Sequence, residues 1–162
     1  MGFFDKTICD CCVCPMQGVM QQITDLGVFI DTTSGNQTVV GQIISADNFI
    51  ANTSEGSVPI CNVTGIGGTL GSVDINEITL KPISIDNKGE CRCCEDPATN
   101  ELQSLTNEEV EIEYVGGSNP IPVTGIVSRV GEGIVILAFT FDPTSINRII
   151  STCQITRINP NR

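Results

Sequence analysis

The stretches "CCVCPMQGVMQQITDLGVFI" (residues 11–30) and "CCEDPATNELQSLTNEEVEI" (residues 93–112) are one segment written twice. At an offset of 82 residues, from Cys9 to Cys91, the cluster Cys9, Cys11, Cys12 falls on Cys91, Cys93, Cys94. The same offset places Pro15 on Pro97, Met20 on Leu102, Gln21 on Gln103, Ile23 on Leu105, Thr24 on Thr106, Val28 on Val110 and Ile30 on Ile112. Each copy closes alike, with "PICNVTGI" around Cys61 and "STCQITRI" around Cys153. A repeat settles the architecture ahead of any single motif, because each unit must bury its apolar face alone or against its neighbour. Cys14 is the odd member of the nine cysteines and stands opposite Asp96.

Working outward, Pro15 sits where a first helical turn tolerates proline, and Met16, Val19, Met20 and Ile23 follow at i, i+3, i+4, i+7. This predicts a short amphipathic helix, with a weaker version carried by Pro97, Leu102 and Leu105. In "EVEIEY", Val110, Ile112 and Tyr114 alternate with glutamates, the period-2 pattern of a strand with one wet face. Turn residues at 34–36 and 116–119 lead to second strands, "TVVGQII" and "PVTGIVS", each with a mid-strand glycine (Gly41, Gly125) that suits a bent strand. Third strands are expected near "FIANT" and "IVILAF", and fourth strands around Cys61 and Cys153. On those strands Cys61 and Cys153 share a face with Val63 and Ile155 and read as small buried hydrophobes. The intervening "GGTLGSVDINEITLKPISIDNKGE" predicts a connecting strand or hairpin.

Composition excludes several functions. Net charge is -11 with few and scattered Lys and Arg, so a phosphate backbone would be repelled. The chain has no histidine, which removes the usual general base and the commonest metal ligand. "GIGGTLG" lacks the GxGxxG spacing and leads into strand-like sequence, so it does not read as a phosphate cradle. No βαβ context supports C-x-x-C redox catalysis, although Cys14-Pro15 precedes the first helix. The longest apolar run, "GIVILAFTF" from Gly133, is half the length of a membrane span. The start "MGFFDKTICD" has no secretory apolar core, so synthesis in a cytoplasm is expected, and no enzyme activity, nucleic acid or membrane partner is expected.

The cysteines offer two chemistries. Cys11, Cys14, Cys91 and Cys94 could form a tetrahedral zinc site from two C-x-x-C pairs. Acidic neighbours Asp10, Glu90, Glu95 and Asp96 raise thiol pKa and oppose the gathering of thiolates until a cation is bound. The favoured reading is cross-linking, because adjacent cysteines pair locally only with strain and are placed to reach other chains. The expected cross-linking set is Cys9, Cys11, Cys12, Cys14, Cys91, Cys93 and Cys94, with no cofactor.

A short helix followed by a meander of curved strands with a mid-strand glycine resembles the Sm-like small barrel, over about residues 15–66 and 97–158. The resemblance implies a mainly β fold of two tandem Sm-like modules, each behind a short helix; the alternative is one β-sandwich made of two duplicated halves. The corresponding organisation is a cysteine-cluster arm (1–14), a first module (15–66), a connecting strand or hairpin with the second cluster (67–96), and a second module (97–162). The RNA-binding residues of Sm proteins find no match here. The arm "CDCCVCPM", the acidic β-rich body and the paired "PIC" and "STC" segments together resemble the cysteine-rich structural proteins of bacterial endospore surfaces: coat, exosporium and appendage subunits. That resemblance implies a self-assembling structural protein, made in the cytoplasm and deposited on the spore surface, whose partners are its own copies and other spore-surface proteins. Alternatives are a cysteine-ligated zinc module and an adaptor that binds a protein partner through an exposed β-edge.

Overall fold

The structure is a computed structural model that describes residues 12–34, 39–68, 77–84, 89, 91–116, 121–139 and 147–161. It is mainly β. Helix α1 (Val13–Gln22) precedes β1 (Gly27–Thr32), β2 (Val39–Asp47), β3 (Ile50–Thr53), β4 (Gly56–Pro59) and β5 (Val63–Gly68). A π-helical turn (Cys91–Glu95) and helix α2 (Asp96–Ser104) then precede β6 (Glu109–Tyr114), β7 (Ile121–Gly131), β8 (Ile134–Ala138), β9 (Asn147–Ser151) and β10 (Ile155–Pro160). The ten strands form one antiparallel sheet in the order β10-β6-β7-β8-β9-β5-β1-β2-β3-β4.

Both copies share one strand order: the fifth strand lies beside the first, and strands one to four run in sequence. The registers also correspond residue by residue. Ile30 opposite Ile66 in β1 and β5 is matched by Ile112 opposite Ile158 in β6 and β10. The irregularity between Ile43 and Ser45 in β2 recurs between Val127 and Arg129 in β7, in each case just after the mid-strand glycine. At Gly41 an added Cβ would lie 2.7 Å from Ser54 Oγ, and at Gly125 3.0 Å from the Ala138 carbonyl, so in both strands the bend brings chain too close for a side chain. Asp25 and Asn107, at one repeat position, both take left-handed backbone (φ 66 and 70) as the helix turns into the first strand, a conformation Asp and Asn tolerate.

The helix stripe behaves as its spacing requires: Met16, Val19, Met20 and Ile23 are all buried. They pack with Val28, Ile30, Ile43, Ala46, Ala51, Val58, Ile60, Val63 and Ile66 in a first core. A second core gathers Leu102, Leu105, Val110, Ile112, Tyr114, Val123 and Val127. Strands β8 and β9 lie between them and serve both. Ile134, Ile136 and Ile149 belong to the first core, while their strand neighbours Val135, Leu137 and Ile150 belong to the second. A strand buried on both faces needs apolar residues at both parities, which is what "IVIL" supplies.

Three expectations are corrected. The sheet does not close into two separate barrels, because β5 of the first copy continues into β9 of the second; the sandwich alternative, with one common core, gives way to two cores. Each copy has five strands among the described residues, not four, and Cys61 and Cys153 sit on 3-10 turns (Ile60–Asn62, Thr152–Gln154) between the fourth and fifth strands. Because a 3-10 turn breaks the alternation that extended chain would impose, Cys61 is exposed instead of buried. Cys12 and Cys14, assigned to an extended arm, belong to the body: both are buried at the start of α1. Residues 1–11 lie outside the described residues.

Between the modules, residues 77–84 form no strand and are held instead by side chains. Gln22 clasps Thr79, its Oε1 accepting from the Thr79 N–H at 2.7 Å and its Nε2 donating to the carbonyl at 3.0 Å. Arg129 donates to the Ile78 carbonyl at 2.6 Å, and Lys81 pairs with Glu132 at 2.5 Å.

Candidate functional site

The features that distinguish this chain from two independent domains collect where the copies meet. Strand β5 pairs with β9 through Gly65–Ile150, Ile66–Ile149, Gly67–Arg148 and Gly68–Asn147. The run of glycines in β5 is explained here. An added Cβ at Gly65 would sit 3.1 Å from the Tyr114 ring, and one at Gly67 would overlap the ring of Phe29, so aromatic side chains lie directly on bare backbone. Arg148 crosses the joint. Its guanidinium donates to Asp31 Oδ2 at 2.7 Å, lies 3.1 Å from the Tyr114 hydroxyl, and stacks 4.3 Å from the Phe29 ring centroid. The Tyr114 hydroxyl donates to the same Asp31 oxygen at 2.7 Å. Burial, followed by the Asp31 carboxylate, pushes the Tyr114 phenol well above its ordinary range. Among the contacts of Asp31 are thus one cation and one hydroxyl donor, both from the other copy, and this cluster joins the copies.

A covalent bond crosses the same joint. Cys12, at the head of α1, is bridged to Cys153, in the turn after β9, with 6.2 Å between Cα atoms and 141 residues between the two in sequence. The bridge lies beside a buried polar cluster: Cys12 Sγ is 3.9 Å from Thr152 Oγ1, which is 3.3 Å from Thr99 Oγ1. Thr99 in turn donates to Glu95, and Glu95 Oε1 accepts the Gly133 N–H at 2.8 Å. Burial raises the Glu95 carboxyl above its ordinary value of 4.5, and the adjoining Asp96 adds to the rise, against the lowering effect of these two hydrogen bonds.

Of the expected cross-linking residues, Cys12 is bonded within the chain to Cys153, and Cys14 and Cys91 are also disulfide-bonded. Cys93 is free and exposed on the π-helical turn. Cys9 and Cys11 lie outside the described residues, as does the side chain of Cys94. The zinc alternative Cys11, Cys14, Cys91, Cys94 loses two donors in this oxidised form, since a disulfide sulfur is not a thiolate ligand. No cluster of three or more His, Cys, Asp or Glu able to hold a metal occurs among the described residues. Cys61, which the sequence placed in the core, is a second free and exposed thiol.

An open groove of about 650 Å³ runs between α1 and residues 79–82, lined by Cys14, Pro15, Gln17, Gly18, Gln21 and Leu80 among others. Among the described lining residues the one cationic side chain, Lys81, is paired with Glu132, and Cys14 is oxidised. No described helix is long and apolar enough to cross a membrane.

Sequence reasoning missed Asp31, Tyr114 and Arg148 as a unit, because they are separated by 83 and 117 residues. The available signal was the pair of apolar parities in "IVIL" and "RII", which only a strand with covered faces requires. Comparison with known protein families, with curated proteins and with solved structures finds no match to any of them.

Proposed function

We propose that this chain is a non-enzymatic, self-assembling structural protein cross-linked through cysteines, part of a bacterial spore surface layer or appendage. The observation that carries the reading is the division of the thiols. Cys12, Cys14, Cys91 and Cys153 are oxidised in a chain that keeps Cys61 and Cys93 free and exposed. Oxidised cysteines suit an environment in which disulfides persist, and exposed thiols in that environment find partners on other chains. A two-core body with no acid–base constellation among the described residues fits a building block. The modules are read as Sm-like in plan, supported by a short helix followed by five strands with the fifth beside the first. Synthesis in the cytoplasm and later deposition on the spore surface, among other surface proteins, would reconcile the composition with its oxidation.

The test is mass analysis of native material with and without reductant, with metal quantified on the same sample. Covalent multimers that collapse to the monomer on reduction are expected. A protein that stays monomeric after oxidation, or one that carries a stoichiometric metal on four thiolates, overturns the reading and promotes the zinc module.

A further inference from the structure

Two residues of the first copy go unexplained by contacts within the described chain, and they share one face. The first is in a turn. In each copy a two-residue turn joins the second and third strands: Asp47 and Ile50 close one as Gly131 and Ile134 close the other, so Phe49 corresponds to Gly133. Both take left-handed backbone, φ 63 at Phe49 and 75 at Gly133. Glycine is at home there and a bulky aromatic is not, so Phe49 is strained where the repeat itself has the unstrained residue. Its backbone is pinned on both sides: the N–H donates to Gln17 Oε1 at 2.8 Å and the carbonyl accepts from the Ile60 N–H at 2.9 Å. Yet Phe49 belongs to neither core and is 37% exposed. The second residue is Gly18, in the middle of α1, where glycine is the poorest helix former after proline. Apart from its own helix backbone and chain neighbours, no described atom lies within 4 Å of where its Cβ would be, and its counterpart in α2 is Asn100. Gly18 lines the open groove, together with Cys14, Pro15, Gln21 and Leu80. Phe49 stands beside that groove, because Gln17, which holds its N–H, is a groove residue, and so is Gln21, which donates to the Ala46 carbonyl at 2.8 Å just ahead of the turn. A fixed aromatic knob and a hole with bare helix in its wall therefore lie side by side.

Charge selects the occupant. In a chain of net charge -11, two copies repel each other unless each presents an uncharged surface. Helix α1 (VCPMQGVMQQ) carries no charged residue, whereas α2 carries Asp96 and Glu101, and Lys81 in the groove is paired with Glu132. Resting on the self-assembly reading, we propose that a second copy of this chain docks on this face by a two-fold contact: Phe49 of each copy enters the groove of the other and its ring lies against the backbone at Gly18. A two-fold contact needs a patch complementary to itself, which a knob beside a hole supplies. The pinned, strained backbone at Phe49 holds the ring where the partner needs it, and the missing side chain at Gly18 lets the ring approach. An isologous contact closes at a dimer, so further growth falls to disulfides between dimers.

The experiment uses the full chain with its native disulfides, handled under nitrogen so that free thiols do not oxidise. Light scattering over a concentration series gives the molar mass, and a denaturing gel without reductant shows which species are covalent. Wild type should form a dimer that the gel resolves into monomers. Phe49→Gly gives the turn its counterpart's residue, and should raise the dimer Kd by about 30-fold or more, as loss of a hot-spot aromatic does. Gly18→Gln places a better helix former in the groove wall and should do the same. In dilute, monomeric samples the denaturant midpoint of both variants should match or exceed that of wild type, which separates loss of the contact from loss of the fold; if either fails to fold, the other decides alone. Mixed, the two should associate more tightly than either by itself, since Phe49 of one finds the open groove of the other. A dimer that either variant leaves as tight as wild type, or a mixture no tighter than its components, overturns this contact and leaves self-assembly standing. So does a wild type that is monomeric under nitrogen but gives reductant-sensitive multimers in air, and the groove then has a different occupant. A wild type that is monomeric in both overturns both.

Discussion

The outer end of the first module and the joint between the modules are the same structure with different side chains. Strands β3 and β4 at the end correspond to β8 and β9 at the joint, pair for pair: Asn52–Ser57 stands where Ile136–Ile149 stands, and Thr53–Gly56 where Leu137–Arg148 stands. At the joint Ile136 and Ile149 lie in the first core, Leu137 lies in the second, and Arg148 reaches Asp31. At the end Asn52, Gly56 and Ser57 are exposed and only Thr53 is buried. The backbone plan therefore does not decide which edge is sealed within the monomer; a few isoleucines, one arginine and one cysteine pair do.

The largest break in this comparison should come from the disulfides. Replacing Cys12 and Cys153 together by Ser opens a 141-residue separation and should lower stability by about 4 kcal/mol, read from denaturant unfolding as a lower midpoint with a larger m-value, because the unfolded chain is no longer cross-linked there. Cys61→Ser, at the exposed counterpart, should stay within about 0.5 kcal/mol. Equal losses at the two positions would mean that Cys61 is not an exposed, unbonded thiol within the monomer.

The apolar seal is the next target. Ile149→Ser gives the joint the residue of the free end and should cost about 3 kcal/mol, from lost burial and a stranded hydroxyl. Its reciprocal, Ser57→Ile, should leave monomer stability within about 0.5 kcal/mol, because Ser57 is exposed. Thermal unfolding of both chains checks the contrast, and a small loss for Ile149→Ser would show that the joint is held by its polar network alone.

The smallest expected effect concerns Glu95, whose repeat counterpart is the half-buried Val13. Its folded pKa is raised above 4.5, so the fold favours the protonated form. The resulting stabilisation is fully present below the unfolded pKa and is lost as pH rises through the folded value. Glu95→Gln keeps an acceptor for Gly133 and Thr99 without a charge, and should flatten this loss while raising the midpoint at neutral pH. An unchanged pH profile from about 4 upward, recorded by thermal unfolding, would remove Glu95 as its cause.

Much of the fold was legible because its signals are local. The stripe Met16, Val19, Met20, Ile23 needs only a helical period, and Val110, Ile112, Tyr114 only a strand period, so both were placed without knowing what they touch. Gly41 and Gly125 marked real bends for the same reason. Cys61 and Cys153 were misplaced because the strands whose parity put them in the core begin only at Val63 and Ile155, and the two cysteines sit on the 3-10 turns just before them. The free thiols were equally hidden, since whether a cysteine is bonded depends on which other sulfur the fold delivers.

By itself the sequence determined the duplication, the two helices, most strand positions and the acidic, histidine-free character of the chain. Each is a property of spacing or composition within a few tens of residues. Only the tertiary structure decided that the two copies share one sheet, that Arg148 is spent on Asp31, that Cys12 finds Cys153, and that Cys61 is left free beside an outer strand. Those outcomes depend on contacts between residues 83 to 141 apart, where no local period reaches and only chain closure brings the partners together.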